Sequence, residues 1–103
     1  MSTNVFVKSG RVTNLLPDQT SGTPTGDWKF KDAPLSAIQV ISSAAATVVF
    51  EGSNDGVNAV ATALGTVTLA GAGSDGFVIN HPWKYIRARV TANAGTINIL
   101  MSV

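Results

Sequence analysis

The sequence contains no cysteine. Disulfide cross-links and thiolate metal sites are excluded, and cysteine usage leaves the redox compartment open. Charge is the second shortage. Charged residues make up 13% of the chain, against about a quarter in an average soluble domain. The net charge is +1, so no strong field gathers polyanions or acidic membranes. Nucleic-acid-binding domains display far more Lys and Arg, and neither nucleic acid nor membrane is expected as a partner. Histidine occurs once, as His81. No run approaches the ~18 apolar residues of a membrane span. The opening MSTNVFVKSG has no apolar stretch of signal-peptide length, and no Asn-x-Ser/Thr sequon occurs. The simplest expectation is a complete small cytosolic product with an intact start.

What is present points to strands. The 103 residues are 45% hydrophobic, enough for one domain over 1–103 and not comfortably two. The run Thr47, Val48, Val49, Phe50 is β-branched and aromatic, which favours a strand, and the turn cluster EGSNDG follows it. Further strands are expected at 4–8, 11–15, 28–31, 36–42, 59–69, 76–80, 84–91 and 96–103. Gly, Pro, Asn, Asp and Ser separate them at roughly the 8–12-residue spacing of a sandwich or barrel. No segment holds a 3.6-residue apolar period, so little helix is expected. Residues 16–27, LPDQTSGTPTGD, combine turn chemistry with almost no apolar content and read as a long surface loop or arm. AGAGSDG at 70–76 reads as a turn.

Catalytic and cofactor signals are thin. Gly71, Gly73 and Gly76 spell GxGxxG, but Pro82 and the β-branched and aromatic residues around it oppose the helix that a dinucleotide fingerprint needs. No acidic residue follows Asp75 to hold a ribose. No nucleophile-elbow sequence surrounds any serine, and His81 sits in Asn-His-Pro, a turn entering a strand. The carboxylates are scattered without calcium-loop spacing, although Asp55 or Asp75 with backbone carbonyls leaves a loop calcium site open. The expectation is a non-enzymatic chain with no catalytic, cofactor or metal residues.

The richest segment is HPWKYIRARV, residues 81–90. Strand side chains alternate between faces. That assigns Ile86, Ala88 and Val90 to the core, and Trp83, Tyr85, Arg87 and Arg89 to the outer side. Aromatics with arginines stack on sugars or bases and are enriched at protein interfaces; they also simply pack over neighbouring strands. Trp83, Tyr85, Arg87 and Arg89, with Trp28, are the candidate contact residues.

KYIRARV resembles the (R/K)-Y-(I/V)-R-hydrophobic strand of discoidin-like, galactose-binding-like jelly rolls. VVFEGSNDG is similar to that family's strand and hairpin, in which Asp55 and Gly56 form the tight turn and Gly56 takes a positive φ. This resemblance covers about residues 47–103 and implies an all-β, single antiparallel jelly-roll-like β-sandwich, with a glycan as a candidate ligand. The whole chain, through SNDG, PWKYIRARVT and the ending GTINILMSV, resembles small virion proteins of tailed bacteriophages. That implies a capsid decoration or cement protein, assembled in the host cytoplasm and located in the virion. Its partners would be the major capsid protein or other virion proteins, with a homo-oligomer such as a trimer expected. The alternatives are a carbohydrate-binding or host-attachment module, or a tail or baseplate component.

Overall fold

The structure, a computed structural model, describes residues 12–31 and 35–102, with the backbone alone at 17–19. Eight strands form: β1 (Val12–Ser21), β2 (Lys29–Phe30), β3 (Ser36–Ser42), β4 (Ala46–Ser53), β5 (Gly65–Leu69), β6 (Gly73–Ile79), β7 (Tyr85–Asn93) and β8 (Thr96–Ser102). No helix occurs among the described residues. The strand expected at 4–8 lies outside them.

The strands make two four-stranded antiparallel sheets, in the orders β1-β8-β3-β6 and β2-β7-β4-β5, here sheet 1 and sheet 2. The pairings β1/β8, β2/β7, β3/β6 and β4/β5 describe one long ribbon doubled back between β4 and β5. The further pairs β3/β8 and β4/β7 roll that ribbon into a sandwich. This is jelly-roll connectivity, and the all-β sandwich expectation holds.

Alternation explains the layers. β3, SAIQVIS, buries every second residue from Ser36 to Ser42 and exposes those between. β4 turns Ala46, Val48 and Phe50 inward, β7 turns Ile86, Ala88 and Val90 inward, and β8 supplies Ile97, Ile99 and Met101. These side chains meet in one core between the sheets. The Phe77 ring packs edge-on against Phe50, centroids 5.4 Å apart, and closes the core on the β6 side.

β1 departs from the expected arm at 16–27. It runs as an edge strand to Ser21, with register shifts between Asn14 and Leu16 and between Leu16 and Thr20. The first bulge lets consecutive residues, Leu15 and Leu16, both turn inward and be buried. Pro17 is tolerable there because an edge strand has one side whose N–H groups need no ladder partner. The chain beyond β1 does not stand free either. Gly26 N–H donates to Ala88 O at 2.8 Å, and Val90 N–H donates to Pro24 O at 3.0 Å, so residues 24–26 line the edge of β7. β5 is shorter than expected, because residues 59–64 form a loop pinned to β4 by Val60 N–H to Gly52 O and Leu64 N–H to Phe50 O. The turn expected at 70–76 is also shorter, since β6 begins at Gly73.

Phe50 is fully buried at the centre of this core. Phe50→Ala should therefore cost about 3–5 kcal/mol of folding stability, read as a lower chemical-denaturation midpoint with the all-β circular dichroism retained below it.

Candidate functional site

The outer face of sheet 2 gathers the aromatic and arginine residues. Glu51 and Arg87 lie directly opposite each other on β4 and β7. Arg87 Nε donates to Glu51 Oε1 at 2.7 Å, and Arg89 Nε donates to Oε2 at 3.1 Å. One carboxylate thus holds two guanidinium groups. Its side chain is only 14% exposed, and burial alone would raise its pKa. The hydrogen bonds and charges of Arg87 and Arg89 outweigh that and hold it below the ordinary glutamate range. Both arginines engage Glu51 through Nε, which leaves their terminal nitrogens as donors for carboxylates or carbonyls from outside.

Aromatic rings frame this pair. The Arg87 guanidinium lies 4.5 Å from the centroid of the Trp28 ring, a cation–π stack. Phe30, opposite Tyr85 across the β2/β7 pair, meets the Tyr85 ring edge-on at 5.8 Å. Phe30 is 55% exposed. The Tyr85 ring also lies against the SNDG turn, where a Cβ at Gly56 would be in ordinary contact with it.

That turn is tightly built. Gly56 has φ +70°, as expected for a residue that needs left-handed backbone. Asp55 accepts the Ser53 hydroxyl, the N–H groups of Val57 and Asn58, and the Asn58 side-chain amide. These bonds, the Asn58 N–H first, hold its carboxyl well below the usual range. Asp55 therefore serves its own loop. Among the described residues, no group of three or more His, Asp or Glu side chains is placed to hold a metal ion.

Tyr85, Arg87 and Arg89 line up as the alternation implies, and Trp28 joins them through its stack on Arg87; Trp83 does not. β7 begins only at Tyr85, so the alternation does not extend back through Pro82 and Trp83. The Trp83 ring instead packs against the core over Gly52, where a Cβ would sit 2.8 Å from the indole; glycine there makes room for the ring. Trp83 and His81 line an apolar groove of about 390 Å³ with Val60, Ala63 and Leu64. Lys31, a 3% exposed residue, donates from Nζ to His81 O at 2.9 Å. Burial, and then the charge of Lys84, lower its pKa.

Two members of the sheet 2 cluster escaped the sequence reading. Glu51 stands two residues after Val49 in the alternating run VVFEGS, which was a signal for an outward carboxylate facing the arginine strand. Phe30 carried none, because β2 is two residues long and its pairing is set by the tertiary fold. No protein-family model matches the sequence, and no curated protein and no solved structure is similar to it. Function is therefore argued from the faces themselves.

Folded-state depression of a carboxyl pKa contributes stability that is present above its unfolded value and lost as pH falls through the folded value. Stability should hold at neutral pH and start to fall below about pH 4.3, the unfolded glutamate value. Glu51→Gln should lower stability at pH 7 by about 1 kcal/mol and flatten the acid limb, in urea melts recorded across pH 3–7.

Proposed function

We propose that the protein is a non-enzymatic structural component of a phage particle, a decoration or cement protein that bridges neighbouring shell subunits. The observation that carries this reading is the build of the sheet 2 face: Trp28, Phe30, Tyr85, Arg87 and Arg89 grouped on one face, with Arg87 and Arg89 held by Glu51. Aromatics and arginine are the residues that anchor protein interfaces. A pre-ordered patch loses little side-chain freedom on docking. Its guanidinium donors suit the carboxylates and backbone carbonyls of a protein surface. Weak contacts of this size hold firmly when repeated over a symmetric shell. The chain's short motifs resemble those of small phage virion proteins, which is why the partner is taken to be a major capsid protein or another virion protein.

A glycan-binding reading is favoured by one feature, the neighbouring Trp28, Phe30 and Tyr85 rings, because sugars stack on aromatic side chains. The two readings separate experimentally. On phage particles prepared without this chain, the wild type should co-sediment saturably at a fixed copy number per shell. Trp28→Ala and Arg87→Ala should each weaken binding about tenfold or more. A chain that ignores particles but binds a glycan array through Trp28 would replace the structural reading with the sugar-binding one.

A further inference from the structure

Sheet 2 is short of carboxylate. Its four strands carry three cations, Lys29, Arg87 and Arg89, and one acid, Glu51. The other outward positions of β4 and β5, Thr47, Val49, Thr66 and Thr68, are uncharged. The nearby acids are engaged elsewhere. Asp27 lines a hollow with Lys29 on the β1 side, beside Asn14 and Leu16, and Asp55 is bonded into its own turn. Arg87 and Arg89 each meet Glu51 through Nε. One carboxylate between two guanidinium groups leaves one positive charge unmatched. The two side chains are 26% and 42% exposed, so their terminal nitrogens are within reach of a partner. Arg87 is also ordered, bonded to Glu51 and stacked on Trp28.

We infer, building on the docking role proposed above, that this face receives an Asp or Glu side chain of the protein it docks on, at the terminal nitrogens of Arg87 and Arg89, with an apolar neighbour of that side chain seated on Phe30. The terminal nitrogens of a guanidinium form a planar fork that fits a carboxylate through two parallel hydrogen bonds. A carboxylate brings the one negative charge that the group lacks. A neutral sugar leaves that charge unmatched, and a nucleic-acid backbone calls for a row of cations rather than one surplus charge.

The apolar half follows from the register. Phe30 pairs with Tyr85, two residues before Arg87, so Phe30 and Arg87 are diagonal neighbours about 7–8 Å apart. Phe30 is 55% exposed and offers bare ring surface. Residues two apart on an extended chain are separated by about 7 Å and point to the same side. An extended Leu-x-Glu stretch therefore presents both groups at the matching distance.

The test is an NMR titration of the isotope-labelled full chain with two end-blocked peptides, Leu-Thr-Glu-Thr and Leu-Thr-Gln-Thr, to about 10 mM. The Glu peptide should shift the Arg87 and Arg89 Nε–H and Trp28 Nε1–H signals saturably, and the Gln peptide should bind at least about tenfold more weakly. Raising salt from about 0.05 to about 0.5 M should weaken the Glu peptide. Arg87→Gln should abolish the difference between the peptides. Phe30→Ala, at an exposed position clear of the ion pairs, should weaken both. Equal binding of the two peptides by the wild type overturns the inference, as does the absence of any shift at the highest concentration. So does a Glu-dependent shift confined to Lys29 and Lys84. No phage is present in the titration, so its result stands apart from co-sedimentation with particles. Particles bound and both peptides ignored overturns the carboxylate site and leaves the docking role. The Glu peptide bound and particles ignored supports the site and overturns the phage partner.

Discussion

A strand has two sides, and in this fold one side of every strand but the two-residue β2 belongs to the core. That constraint shapes everything else in the molecule. Ile38, Val40, Val48, Phe50, Ile86, Ala88, Val90, Ile97, Ile99 and Met101 fill the space between the sheets. The intervening residues are forced outward, in register, as two broad faces. Function, if it resides in the strands, has to reside on those faces. The two-residue period therefore links the core directly to the contact chemistry: the alternation that buries Ile86 and Ala88 also lines up Tyr85, Arg87 and Arg89.

The two faces solve the problem of being exposed in different ways. Sheet 2 carries charge and neutralises it locally, with Glu51 between two arginines and Trp28 stacked on one of them. Its polar groups are ordered before any partner arrives. On sheet 1, amide and hydroxyl groups bond along the face, as Gln39 Nε2 does to Ser74 Oγ at 3.0 Å. The edges are also managed. β6, at the rim of sheet 1, opens with Gly73-Ser74-Asp75-Gly76, and an exposed acid and two glycines make a poor template for further strand pairing.

Much of this was legible in the sequence where the alternation is strict and turn residues stand at both ends. β3 falls where the pattern SAIQVIS places it, and β8 follows from TINILMS. The positive φ at Gly56 follows from the Asn-Asp-Gly turn. The misreadings share one cause, tertiary pairing that overrides local composition. LPDQTS has turn chemistry, yet it is a bulged edge strand because β8 offers it a ladder. Residues 59–64 are apolar enough for a strand, yet two backbone hydrogen bonds fold them back on β4. Trp83 looks like part of the Tyr85-Arg87-Arg89 stripe, yet it precedes the strand and falls onto Gly52.

The most direct test of the central claim, that contact chemistry resides on the outer face of sheet 2 rather than in the Trp83 groove, is hydroxyl-radical footprinting of the chain free and bound to phage particles. Trp28, Phe30 and Tyr85 should lose labelling on binding, while Trp83 and His81 keep theirs. Protection of Trp83 and His81 with Trp28 and Tyr85 unchanged would contradict the claim and place the contact in the groove.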